Sequence, residues 1–572
     1  MATINPSRAF AKKRFERFAG LGASQSLSGE GAYDMCNLRI MPDGSLASRE
    51  GFRTLAKLAG GAIRGFWEGP LDGTTRRFAV CGSAVYLLDV ETDTQTVVAT
   101  LSDTEGAVTF FLFEGQLYLL DGEELRVYQH STKRFIPIEP YVPLVGNQWH
   151  PTSYGDIYEP LNLLTNRMRV RYLNSIASTV FYLPYYADKV EAVYVDGVRA
   201  NDVTLKSGGE YIEVPSAETA TRIDVVMSAS FLNDASHPLQ KSRRALTKLF
   251  GKAERLFLYG GEDESCVYCS KTVTTEMLNV CRVHIPSALP LYFRESDVLF
   301  LGSREHPAHA LLPYRDEILA FGDRETWRIY SNDNVNIEAE CISSDLECPS
   351  YGMALLCDGT PTLAGSRGLA RMETLLSRPE LLQIDRMLYP TANAPFEDFQ
   401  TVISTFLPQM QEIWLRDAAD PNGSVWVYRI DQKEWYRFDG ICATLFFRSS
   451  LGLVFGTEDG KICLFDPNLT SDDGVPFRCF YQSTCFDFGT SETVRRALRA
   501  SLSANLHGGE AMLTLTDEKR STQHRLRGKH EHVLEHFDIR RRNGRYRFLC
   551  FSIDVQSSCR TELFKLSFFT NP

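Results

Sequence analysis

A short apolar strand beside a tight Gly or Asp turn recurs along this 572-residue chain, and no other feature constrains the fold as much. Residues 78–89, 115–122, 255–261, 316–323 and 452–460 all have this form. Period-two patterning places alternate side chains on one face of a strand, and tight turns join such strands into antiparallel meanders. Repeated at spacings of tens of residues, the pattern is that of a β-propeller, whose blades are four-stranded sheets. The expected fold class is all-β: a β-propeller with an inserted small β-sandwich and a C-terminal β-domain. Propellers serve more often as scaffolds and binding platforms than as enzymes, so function has to be argued from sites.

Composition narrows the class further. Hydrophobic residues at 44% and charged residues at 23% are ordinary globular values, so the whole chain is expected to fold. A net charge of −11 opposes broad nucleic-acid binding, because phosphate contacts are made by Lys and Arg. The basic residues are nevertheless concentrated in 8–17, 241–255 and 495–547. Arg540, Arg541, Arg542 and Arg545 form the densest run, read as a set of interface candidates against the plainer reading of a solvated strand face. No apolar stretch approaches the roughly 18 residues of a membrane helix, and the N-terminus lacks the apolar segment of a signal peptide. A soluble product made in a cytoplasm is expected, with its 14 scattered cysteines mainly reduced and buried as small hydrophobes.

Along the chain, residues 1–59 read as an N-terminal arm and β-hairpin. Phe10, Phe15 and Phe18 alternate there with basic residues, suiting a short helix or an extended docking segment, and Pro42-Asp43-Gly44 is a strong turn. Residues 60–150 supply a first propeller part, 151–240 a linker and the inserted β-sandwich, 241–470 a second propeller part, and 471–572 the C-terminal β-domain. The prolines of 137–160 mark the linker. Residues 425–438 form the clearest hairpin, with a polar turn at 431–433 and Trp435 returning to the core. Residues 545–554 and 562–568 read as paired strands. The one sizeable helical candidate is 374–387, interrupted by Pro379.

Two constellations have metal-ligand spacing. Cys266, Cys269, Cys281 and His284 suit a Cys3His zinc site on paper, but Cys266-Val-Tyr-Cys269 reads as extended strand, which sends the two thiols to opposite faces. His532-Val-Leu-Glu535-His536, with His530 nearby, matches an inverted zinc-peptidase motif, yet that chemistry needs a helix and the surroundings read as strand. Neither a phosphate-binding loop nor a nucleophile elbow is present in the sequence. Propeller glycosidases draw their acids from different blades, so a propeller-fold glycoside hydrolase stays as one alternative and a cellular propeller scaffold as another. No catalytic residue, cofactor or metal is expected.

Asn37-Leu38, followed by Asp43-Gly44-Ser45-Leu46-Ala47-Ser48-Arg49-Glu50-Gly51, resembles the N-terminus of phage tail and connector proteins with β-propeller bodies. These are the tail nozzle, or tail tubular, proteins of short-tailed phages and the packaged-DNA stabilisation proteins. Residues 155–164 resemble the entry to their inserted β-domain, and 255–261 followed by 267–270 one of their propeller strands; the closing strands after Arg542 agree as well. The resemblance implies a structural virion protein of the tail, made in the bacterial host cytoplasm and assembled as a homo-oligomeric ring, a hexamer. It further implies docking to other tail or connector proteins and passage of genomic DNA without sequence-specific binding. No catalytic residues come with it, and because the chain is shorter than the larger tubular proteins, the resemblance does not extend to the extra distal domains that some of them carry.

Overall fold

The computed structural model describes residues 11–22, 31–90, 92–230, 238–274, 277, 290–344, 346–375, 378–391, 394–488, 494, 497–529, 533–541, 546–556 and 560–571. The protein is all-β: strands account for 57%, and no helix reaches seven residues among the described residues, so packing is between sheets. The described strands form eleven sheets. They fall in two compact units, one of residues 1–63, 90–93 and 347–572, the other of 64–89 and 94–346.

In the unit ending at Leu346, residues 63–100, 109–137, 244–300 and 308–343 each make a four-stranded sheet in which every strand pairs with the next. Asp72-Gly73 and Glu114-Gly115 join neighbouring strands with both residues at positive φ, the two-residue turn whose twist matches a hairpin. Alternation then decides the packing. Leu117 and Leu119 face a core with Phe78, Val80 and Phe135, whereas Tyr118 and Leu120 face a second core with Leu256 and Leu258. In the same way Phe257 and Tyr259 turn from Leu256 and Leu258 toward Val267, Leu311 and Ile318. A strand covered on both faces must be apolar throughout, which is why 117–120 and 256–259 read as unbroken hydrophobic runs.

Residues 144–228 of this unit form a six-stranded and a three-stranded sheet around their own core of Trp149, Met168, Tyr172, Phe181, Val225 and Met227. The stretch 137–160 is more than the expected linker. Its strand Leu144–Trp149 runs parallel to Arg167–Leu173, held by the buried Glu159, which accepts from the Leu144 N–H at 2.6 Å and the Tyr141 hydroxyl.

In the other unit, residues 354–388 and 402–438 form two further four-stranded meanders. The expected hairpin is formed by Val425–Arg429 and Glu434–Phe438, with Arg429 opposite Glu434 and Trp435 buried. Residues 445–466 supply three strands, and the fourth is Gly51–Lys57 from the start of the chain, antiparallel to Lys461–Asp466. The C-terminal sheets also recruit early segments. One has the order Ala32–Cys36, Arg478–Ser483, Leu549–Gln556, Glu510–Asp517, Ser521–Arg527. The other has Leu38–Ile40, Leu46–Ser48, Glu562–Asn571, Ala497–Asn505, Glu535–Arg541.

Two expectations are corrected here and one is narrowed. Of the two alternatives for the N-terminal arm, its described part takes the extended one: Ala11–Phe15 is a strand paired with Glu562–Asn571, and Phe15 packs edge-on against Phe486 and Phe551 at 5.0 and 5.2 Å between ring centres. The helical candidate 374–387 is the antiparallel pair Gly368–Leu375 and Arg378–Leu388, and Pro379 falls on an edge strand, where a missing N–H is tolerated. Leu549–Gln556 and Glu562–Asn571 belong to different sheets, and Phe551 meets Phe568 across the shared core at 5.7 Å.

Candidate functional site

The motif of residues 37–51 becomes a buried polar clasp. Asn37 sits at φ 55°, and its Oδ1 accepts from Arg49 Nε at 2.9 Å and from the Asp439 N–H at 2.9 Å, while its Nδ2 donates to the Arg478 carbonyl. Asp43 closes the turn by accepting from the Ser45 N–H and hydroxyl, which holds its carboxyl below the ordinary range. Arg49 is 1% exposed. All five of its N–H donors are used: Nε on Asn37, Nη1 on the Glu50 carbonyl and Asp472 Oδ1, Nη2 on the Asp439 carbonyl and on Asp472 Oδ2 at 2.6 Å. The guanidinium also lies 3.9 Å from the centre of the Phe477 ring. Gly51 follows because a Cβ there would stand 2.1 Å from the Ser471 carbonyl oxygen.

Arg39, on Leu38–Ile40, makes the second half. It grips Glu412 through Nε at 2.6 Å and Nη2 at 3.2 Å, and reaches Glu50 through Nη1 at 2.6 Å. Glu412 is fully buried and also accepts from the Trp414 indole N–H at 2.9 Å and the Tyr436 hydroxyl. Burial opposes the charge on Arg39, and the carboxylates of Glu412 and Glu50 outweigh it, raising its pKa. Burial likewise pushes the Tyr436 phenol well up, keeping it a donor. A buried charge is tolerated only when paired and fully hydrogen-bonded, and both arginines meet that condition. Fork geometry requires Arg, since Lys lacks the planar donors.

The clasp belongs to a wider use of arginine that sequence reasoning missed. Arg64, Arg255 and Arg416 are buried and donate mainly to main-chain carbonyls, Arg64 to Gly82, Asp103 and Gly106, Arg255 to Ser270 and Val335, Arg416 to Ile441, Ala443 and Asp420. The available signal was an Arg at an inward-facing position of an otherwise apolar strand, as in 255–259 and 413–416.

The predicted site residues are dispersed. Cys266 and Cys269 lie buried on the strand Cys266–Ser270 and face different cores, Cys266 with Leu258 and Tyr268, Cys269 with Phe257 and Val267. Burial pushes the Cys269 thiol up to about 12. Cys281 and His284 lie outside the described residues. Glu535 and His536 are neighbours on the strand Glu535–Arg541, so the helix required by the peptidase motif is not formed, and His530 and His532 lie outside the described residues. Arg540 is exposed on that same strand, which is the edge of its sheet; Arg541 ends it, and Arg542 and Arg545 lie outside the described residues. Among the described residues no group of three His, Cys, Asp or Glu could hold a metal ion.

Among the described residues, two concavities each enclose about 490 Å³. One, in the inserted domain, is lined by Trp149, Tyr154, Tyr182, Tyr185 and Tyr186 with His150 and Glu210 on its polar side. The other is lined by Arg416, Asp420, Asp459 and Asp473. Its aspartates are occupied by donors: Asp420 by the Asn422 and Ser424 N–H groups, Asp459 by Lys57 and Thr457, Asp473 by the Thr54 N–H and hydroxyl. All three are held below the ordinary carboxylate range, Asp420 and Asp473 against the effect of burial. Carboxylates so placed fix the turns around the concavity.

No protein-family model matches the chain, and no curated protein does.

Proposed function

We propose that the seven small meander sheets are the blades of a β-propeller, and that the chain is a structural virion protein. In this reading it is a subunit of a ring-shaped phage tail nozzle or connector that lines or closes the DNA exit channel and docks neighbouring tail proteins. The observation that carries the reading is the use made of residues 37–57. The Asn37 to Gly51 motif is the stretch that resembles those families, and it delivers the strand Gly51–Lys57 as the missing fourth strand of the sheet at 445–466. Completing a late blade with an early strand protects the edges that a ring of sheets would otherwise expose.

Two further features support it. Exposed Tyr154, Ile157, Tyr158, Ile176, Tyr182, Tyr186 and Val198 crowd the inserted domain, and apolar exposure gathered in one region marks a contact surface. Ring closure needs heterologous contacts, for which domains added to a propeller are suited. A net charge of −11 also fits a channel wall, because an acidic lumen lets a polyanion slide instead of holding it. The test is electron microscopy and mass measurement of the purified chain. Closed rings of six subunits are expected; a 64.6 kDa monomer at all concentrations, or an open sheet assembly without propeller density, overturns the proposal.

A further inference from the structure

We propose that Cys485 and Cys550 form a thiol–disulfide modification site, closing to a cross-strand disulfide when a low-molecular-weight disulfide is supplied. The geometry starts from the backbone. Phe486 and Leu549 face each other as an antiparallel bridge and exchange both hydrogen bonds, the Phe486 N–H to the Leu549 carbonyl at 2.9 Å and the Leu549 N–H to the Phe486 carbonyl at 3.0 Å. Next to such a pair comes a pair without hydrogen bonds, where the Cα atoms approach to about 4.5 Å. One step back along one strand and forward along the other, that pair is Cys485 and Cys550. A Cα separation of roughly 4.4–6.8 Å is what a disulfide spans.

The side chains agree. Leu549, Phe551, Ile553 and Val555 are buried in the strand Leu549–Gln556, so Cys550 lies on its outer face. Cys485 is exposed between buried Thr484 and Phe486, which places it on that face too. Cys485 is the titratable neighbour of Cys550: burial first, then Cys485, pushes the Cys550 thiol up to about 11. The register from Arg478 opposite Gln556 to Gln482 opposite Ser552 slips by one residue before Phe486 meets Leu549, and this bulge brings Cys485 opposite Cys550.

The roles divide by accessibility. Cys485, the exposed thiol, attacks the small disulfide as thiolate, forming a mixed disulfide and expelling one small thiol. Cys550 then loses its proton to solvent and its sulfur attacks Cys485 Sγ, expelling the second small thiol and closing the bond. One small disulfide is reduced to two thiols as two protein thiols are oxidised. The bond would tie the 484–486 segment to the strand Leu549–Gln556 in the C-terminal sandwich.

The experiment treats the full chain with glutathione disulfide and maps its thiols by tandem mass spectrometry. The expected product is a Cys485–Cys550 link with a loss of about 2 Da, two hydrogens per bond formed. Cys550→Ser should trap glutathione on Cys485, Cys485→Ser should leave Cys550 reduced, and Cys479→Ser and Cys559→Ser should leave the link intact. Glutathione remaining on Cys485 of the unaltered protein, a link from either residue to another cysteine, or a link between two chains overturns the assignment.

Discussion

Arg49 illustrates how a single side chain can fix several segments. Its five donors meet Asn37, Glu50, Asp439 and Asp472, so the turn at 37, the 439 loop and the 472 turn share one hub. Removing one partner of a buried, fully bonded pair leaves the other charge without compensation, at a cost of about 3–5 kcal/mol. Arg49→Met should therefore lower unfolding stability by that order in urea titration, and Arg49→Lys by part of it, because the charge survives and the fork does not. His309 gives a prediction in pH. Its Nε2 is 3.1 Å from Asp323 and its Nδ1 3.2 Å from Glu264, with His306 3.6 Å from the same Asp323. Burial opposes the imidazolium, but the Glu264 hydrogen bond and the charges of Asp323 and Glu264 outweigh it and raise the pKa. A raised folded-state pKa stabilises most below the unfolded value of about 6.5, and the contribution is lost as pH rises through the folded value. The stability difference between the natural protein and His309→Gln should thus be largest near pH 6 and shrink above neutrality. A difference that is flat from pH 6 to 9 would remove His309 from the account.

Elements built from adjacent residues were legible in the sequence, and those built from distant ones were not. The hairpin at 425–438 carries its own turn and alternation, so its existence and its buried Trp435 followed from the residues alone. Strand pairing across the chain has no local signal. Leu549–Gln556 and Glu562–Asn571 each alternate, and nothing in that alternation says that they sit in facing sheets and not in one hairpin. The 374–387 stretch was misread because apolar residues three and four apart also fit a helix, and pairing with a partner strand overrides that preference. The candidate site divides the same way. The extended Cys266-x-x-Cys269 was readable, whereas the arginine hubs and the facing Cys485 and Cys550 depend on contacts far apart in sequence. Two substitutions test the early strands. Gly51→Ala places a methyl against the Ser471 carbonyl and should cost roughly 1–3 kcal/mol by overpacking, loosening Gly51–Lys57 from its sheet, which hydrogen exchange at 461–466 would register. Phe15→Ala removes a ring from the sandwich core and should cost about 3–5 kcal/mol. Thermal unfolding unchanged by Phe15→Ala would contradict the seating of that strand.

At the scale of the whole molecule, the strand Glu535–Arg541 is the edge of its sheet among the described residues and carries the exposed Arg540. Charge on an edge strand has two uses: it discourages unwanted strand addition, or it meets an acidic surface on a neighbour. The run from Arg540 to Arg545 in a chain of net charge −11 suits the second use, since another copy or an acidic tail protein would present the opposite sign. Exposed charge pairs contribute only about 0.2–1 kcal/mol each, so they set approach and register while apolar contacts supply the affinity. If the chain assembles as proposed, replacing Arg540, Arg541 and Arg542 together with Glu should leave the subunit folded by circular dichroism while weakening ring formation or tail docking. The weakening should be greater at low salt, because screening reduces both the natural attraction and the engineered repulsion as the Debye length contracts toward about 3 Å at 1 M. Rings that form equally well at every ionic strength would assign the run to edge protection instead, and a change confined to DNA retention would make it a phosphate contact.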